Sequence, residues 1–163
     1  MTAEQQVRTV TVTTPSDREI QFERIFDAPR DVVWRAFTDP ILISEWWGGG
    51  TKVEEMDVRV GGSWRFGAES RQGSDFVFRG QYLEVDPPKR LVQTMENGWM
   101  GGLAWTETME FEDLGGKQTR FTQTSVFDAT EQRDQVLQTA EVGANYTYSQ
   151  LDQVLARLSY SNG

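Results

Sequence analysis

The chain has 163 residues, 25 of them acidic and 16 basic, so its net charge is −9, and it contains neither cysteine nor histidine. That length suits one domain with one core, and the negative charge repels phosphate backbones, so no nucleic-acid partner is expected. The missing residue types exclude disulfides, thiolate metal sites, cysteine nucleophiles and imidazole acid–base chemistry, leaving any reaction to carboxylates, Tyr, Lys, Arg, Ser or Thr.

Residues 1–16 are rich in Thr and Gln, and Val7, Val10 and Val12 alternate weakly before Pro15-Ser16-Asp17. They read as an N-terminal arm or edge strand ahead of a single domain over 17–160. Met1 to Gln6 shows no basic region leading into an apolar one, and no stretch approaches the ~18 apolar residues that span a bilayer. A cytoplasmic protein without membrane association is expected. The spacing predicts a first strand over 18–26, with Ile20, Phe22 and Phe26 on one face. Arg24 breaks that parity, which predicts partial exposure.

Two short helices follow. Asp27 is placed to cap the first, with Pro29 in its opening turn, and Asp39-Pro40 repeats the device before Ile41 to Trp47. Gly48-Gly49-Gly50 ends the second helix. It lacks the strand–loop–helix setting and the Lys-Ser/Thr of a phosphate loop. From about 51 to 127 the pattern has period two, with turns at 60–62, Arg71-Gln72-Gly73-Ser74, Asp86-Pro87-Pro88-Lys89, 97–102 and Gly115-Gly116. This predicts six antiparallel strands over 52–60, 63–69, 75–85, 90–97, 103–113 and 118–127. The period then changes: Val136, Ala140, Gly143, Thr147, Leu151, Val154 and Leu158 mark one face of a long helix, with Asp128 and Glu131 as a capping box.

Phe26-Asp27-Ala28-Pro29, Thr38-Asp39-Pro40, Trp46-Trp47, Gly61-Gly62-Ser63-Trp64-Arg65-Phe66, the run from Arg79 to Leu91, and Leu151-Asp152 occur in an order that resembles the START-like, or helix-grip (SRPBCC), proteins. The resemblance is to the bacterial family similar to the activator of heat-shock-protein-90 ATPase, and it extends over about 7 to 158. It implies an α+β helix-grip fold: a curved antiparallel sheet wrapped around the long C-terminal helix, with an internal cavity. The matching residues are mostly caps, turns and core aromatics. Relatives mostly bind small hydrophobic molecules between sheet and helix, and a minority are cyclases. Members commonly carry Trp one turn before the Leu-Asp of the last helix, where this chain has Thr147. That exchange would vacate on the order of 100 Å³ unless Tyr146, Tyr148 or Trp105 refills it.

Three polar residues occupy inward parities on successive strands. Gln93 lies between Leu91 and Met95, Glu107 between Trp105 and Met109, and Gln123 beyond Phe121. They read as a polar anchor in an apolar pocket, with Met95, Trp105, Met109, Phe121 and Leu151 as hydrophobic contacts. The wider lining would include Trp47, Trp64, Phe66, Phe78 and Thr147. The structural alternative is a hydrogen-bonded network that fills space or faces solvent. The expected function is binding of a small hydrophobic or aromatic ligand without turnover. One alternative is a polyketide-cyclase-like enzyme, a cyclase or lyase, with Glu107 as general base. Another is a stress-linked co-chaperone or interaction module acting through Trp46-Trp47, for which a protein partner or a homodimer stays open. No cofactor is expected, and no metal, since no clustered carboxylate run is present.

Overall fold

In a computed structural model, residues 8–48, 50–69 and 75–161 are described. The expected turn at Arg71-Gln72-Gly73-Ser74, and with it Val7 and Gly49, lies outside them. The chain forms β1 (Thr11–Thr13), β2 (Glu19–Phe26), α1 (Arg30–Thr38), α2 (Pro40–Trp46), β3 (Lys52–Met56), β4 (Ser63–Glu69), β5 (Asp75–Asp86), β6 (Arg90–Asn97), a 3-10 turn (Gly98–Met100), β7 (Leu103–Gly115), β8 (Gln118–Val126) and α3 (Thr130–Ser161). All strands join one antiparallel sheet in the order β1-β2-β8-β7-β6-β5-β4-β3. Consecutive hairpins build β3 to β8, and β2 then docks on β8. The α1–α2 segment is the crossover that carries the chain from one side of the sheet to the other, and α3 packs on α1, α2 and the β2 side. This is the α+β helix-grip arrangement.

Period-two alternation decides what enters the core. Ile20, Phe22 and Phe26 on β2, and Phe121 on β8, are buried with Tyr148 of α3. Phe26 meets Tyr148 edge-on at 5.5 Å, and Phe37 of α1 stacks on Phe121 at 4.8 Å. Rings of this size each stabilise the fold by about 1.5–3 kcal/mol when removed from water. On β4, Trp64 and Phe66 are buried, whereas Arg65 points outward and pairs with Glu54 at 3.2 Å.

Four local expectations are corrected. Arg24 is not partly exposed: it is 4 % exposed, and its guanidinium donates to both carboxylate oxygens of Asp152 at 2.6 Å. An inward polar position is tolerated because a carboxylate from α3 meets it. Asp27 does not cap α1, whose N-cap position is Pro29 without a side-chain bond. Asp27 instead accepts from Arg8 and Gln118 at 3.0 and 2.9 Å, which ties β1's approach to the start of β8. Partial burial works against its ionisation, but these two donors hold its carboxyl below the usual range. The capping box is displaced too. Ala129 supplies the first carbonyl acceptor of α3, at 3.2 Å from Arg133 N, so Asp128 precedes the cap. Finally, β3 stops at Met56 and not at 60, because 57–62 close a tight loop in which Gly62 N donates to Arg59 O. A Cβ on Gly62 would sit 1.9 Å from Asp57 O. Asp39 does cap α2, accepting from Ile41 N at 2.9 Å with Pro40 in the first position.

Among the described residues no helix is long and apolar enough to cross a membrane.

Candidate functional site

A cavity of about 390 Å³ lies between the sheet and α3. Its size is at the lower end of the range typical of small-molecule pockets. Strands β4 to β8 supply one wall, α2 closes an end, and α3 forms the roof with Val136, Ala140, Gly143, Ala144, Thr147 and Tyr148. All of these except Tyr148 are smaller than Leu, Ile or any ring, so the helix leaves space beneath it. Thr139 and Gly143 are the exposed lining residues and mark the mouth.

The apolar end is aromatic. Trp47 stands edge-on to Phe66 and to Phe78, each with centroids 5.0 Å apart, and to Trp64 at 6.3 Å. Trp46 faces the interior as well, 3 % exposed, with its indole N–H donating to Ala36 O at 2.9 Å. Of the Trp46-Trp47 pair, Trp46 is buried, and Trp47, at the C-cap of α2, is half-buried with its ring against Phe66 and Phe78. Trp64 lies behind the lining, donating to Thr94 O at 3.2 Å. Gly80 makes this approach feasible, since a Cβ there would meet Thr94 O at 1.9 Å and the Trp64 nitrogen at 2.7 Å.

The polar end is built by strand register. Glu107 on β7 is opposite Gln93 on β6 and opposite Ser125 on β8, and Gln123 is two residues further along the same face. Four side chains therefore converge. The Glu107 carboxyl accepts from the Trp105 indole N–H at 2.9 Å and from Gln123 Nε2 at 3.3 Å on one oxygen, and from Gln93 Nε2 at 3.1 Å on the other. Gln123 also donates to Ser125 Oγ at 3.3 Å. Glu107 is 6 % exposed. Burial pushes its carboxyl well up, against the opposing pull of the Trp105 and Gln93 hydrogen bonds.

Of the residues singled out from the sequence, Trp47, Phe66, Phe78, Gln93, Met95, Trp105, Glu107, Met109, Gln123 and Thr147 do line the cavity. Trp64, Phe121 and Leu151 do not. They are at most 1 % exposed, one layer deeper, where Phe121 contacts Phe26, Phe37, Phe111 and Tyr148. Nor is the space near Thr147 refilled. Tyr146 is 64 % exposed, Tyr148 packs edge-on against Phe26, and Trp105 leans on Phe127 at 5.2 Å.

Tyr148 and Tyr82 are lining residues whose chemistry the sequence did not flag. Ala144, Tyr148, Leu151 and Leu155 recur at spacings of four, three and four, a signal equal to that of the face through Thr147. Burial first, then the nearby Glu107, pushes the Tyr148 phenol above its ordinary range. Tyr82, also in the lining, is raised by burial and by Asp57. Among the described residues no group of three or more acidic side chains is arranged to hold a metal ion.

A curved sheet gripping one long helix over an internal cavity defines a START-like protein. The family described as Activator of Hsp90 ATPase homolog 1-like protein matches residues 27–156, and the chain belongs to that family. No curated protein matches the chain. Among solved structures it is similar to a crystal structure from Rhodobacter sphaeroides, at 23% identity and TM-score 0.83, covering 91% of this chain and 99% of that one. A solution structure from Arthrobacter aurescens is similar at 23% identity and TM-score 0.80, covering 91% and 92%. A crystal structure from Chromobacterium violaceum has 28% identity and TM-score 0.67, covering 86% and 98%.

Proposed function

We propose that this protein binds a small hydrophobic or aromatic molecule in the cavity between sheet and α3, with Glu107, Gln93 and Gln123 orienting the ligand's polar group. One observation carries the reading: a mostly apolar cavity of about 390 Å³ ends on a single buried carboxyl whose two oxygens are fixed by three side-chain donors. Apolar walls supply affinity without direction, and a few fixed polar groups supply orientation. Space-filling alone accounts poorly for an ionisable group here, since burying a carboxyl carries a desolvation cost that an apolar side chain avoids.

The cavity's roof offers the test. Thr147→Trp should fill the space under α3 and reduce binding of the apolar dye Nile red by at least about tenfold, with the far-UV circular dichroism unchanged. Glu107→Gln should retain the dye, because the shape persists. Equal dye affinity in wild type and Thr147→Trp would reject this location for the pocket.

Catalysis is the second reading, and the proximity of Tyr148 to Glu107 favours it. A carboxyl raised by burial and a phenol share one apolar chamber, so a general base and a proton donor are both at hand for a cyclase- or lyase-type step. Turnover of a bound ketide-like compound that Glu107→Gln abolishes without loss of binding would establish it.

A further inference from the structure

We propose that the ligand is an organic cation: an amine on an aromatic or alicyclic body, whose ammonium pairs with the Glu107 carboxylate while its rings lie among Trp47, Phe66, Phe78 and Trp105. The inference rests on the ligand-binding reading above and narrows it to a chemical class.

The carboxyl at the polar end has only neutral partners. Its contacts are an indole N–H and two amide groups, and among the described residues no lysine or arginine forms an ion pair with it. A carboxylate offers about four acceptor directions, and three are taken, so one remains for an N–H from the cavity. An ionised carboxylate buried without a countercharge is costly, and a cation arriving with the ligand removes that cost. The walls suit the same guest. Trp47, Phe66, Phe78 and Trp105 line the chamber and offer aromatic surface to the ligand's rings, with Trp105 beside the carboxyl itself. At long range the net charge of −9 draws cations towards the molecule and repels anions. A neutral ketone or alcohol would use the walls equally well but gain nothing from the charge.

The two ligand types differ in the sign of their pH dependence. A ketone needs protonated Glu107 as a donor, so its affinity falls as pH rises. An amine binds the ionised form and expels the carboxyl proton, so its affinity rises with pH until Glu107 is ionised in the free protein. The groups that face Glu107 do not confuse this. From β6 and β8 they are Gln93, Gln123 and Ser125, which do not titrate; from α3 and β5 they are Tyr148 and Tyr82, both held neutral by burial. On β2, Arg24 acts on Tyr148 and is bound by Asp152, and α2 presents Ile43, Trp46 and Trp47.

Calorimetric titration of the whole chain with 2-naphthylmethylamine, 2-naphthylmethanol and 2-acetonaphthone between about pH 5 and 8 tests the assignment. The amine should bind at least about tenfold tighter than the alcohol at the upper pH, weaken as pH falls, and release a proton detectable by changing buffer. Glu107→Gln should remove the amine's advantage and leave the alcohol within about threefold. Amine and alcohol binding equally, or the ketone binding best with affinity that falls as pH rises, would overturn the cation and leave the ligand-binding reading standing. Should none of the three bind, or should all bind Thr147→Trp as well as wild type, both would fail together. Because the wild-type pH series is decisive alone, poor folding of Glu107→Gln would not protect the claim.

Discussion

At the residue scale, Arg24 and Glu107 pose the same problem and solve it differently. Each is a charged side chain on an inward parity of the sheet. Arg24 receives a bidentate carboxylate from Asp152, so its charge is neutralised within the fold, whereas Glu107 receives neutral donors only. The Arg24 side chain is 3 % exposed and that of Asp152 is 41 % exposed. Asp152→Ala should therefore cost more than loss of a surface pair, about 0–1 kcal/mol, and less than breaking a fully buried one, about 3–5 kcal/mol. A loss of about 1–3 kcal/mol in urea denaturation is expected, and a loss below about 0.5 kcal/mol would mean that Arg24 rehydrates. This explains why Arg24 read from sequence as a sign of exposure: parity reports that a polar side chain is turned inward, but its partner stands 128 residues away on another element. Glu107, Gln93 and Gln123 were legible for the opposite reason. Their partners are on adjacent strands, where hairpin register carries one position to the next.

Among elements, α3 shows how a helix can be both support and roof. Its C-terminal half presents Leu151, Val154 and Leu155 to the core, all buried, while the middle presents Ala140, Gly143, Ala144 and Thr147 to the cavity. Small residues here cost packing and leave volume. Gly143 has no backbone reason to be glycine: it is helical, and a Cβ built on it meets nothing within 4 Å. Gly143→Ala should stabilise the fold by about 0.5–1 kcal/mol through helix propensity and lost freedom of the unfolded chain. A thermal shift in the destabilising direction would show that the position is strained in a way that its open surroundings do not suggest. The existence of α3 and of the strands was readable because 3.6- and 2-residue periods persist over many residues. Their ends were less readable. Asp27 and Asp128 are both acceptable cap residues, but the N-cap position of α1 falls on Pro29, two residues after Asp27, and that of α3 on Ala129, one residue after Asp128. Local capping preference competes with where the neighbouring strand has to stop, and the sheet decides.

For the whole molecule, the cavity is the feature that sequence could suggest but not dimension. Its volume depends on how side chains project from the many elements that line it, and Trp64, Phe121 and Leu151, assigned to the wall from strand parity and helix spacing, are buried outside the lining. Yet this local site should register in global stability. The folded-state pKa of Glu107 is raised by burial, so in the window between its unfolded and folded values the unfolded chain holds fewer protons and stability falls as pH rises. The penalty is absent below the unfolded pKa and complete above the folded one. Asp27 has the reverse sign: its lowered carboxyl contributes stability above the unfolded pKa and loses it as pH falls through the folded pKa. Comparing Glu107→Gln with wild type isolates the first effect, since Asp27 is common to both proteins. In urea denaturation over a pH series, the variant should gain on wild type as pH rises from the unfolded towards the folded pKa of Glu107, with little difference below the unfolded value. A difference that stays constant across that range would mean that Glu107 is as well solvated folded as unfolded. In that case the carboxyl faces water, and neither the anchoring of a ligand nor the pairing with a cation has a physical basis. If the gain does appear, a bound amine should reduce it, because the ligand's charge replaces the solvent that Glu107 gave up.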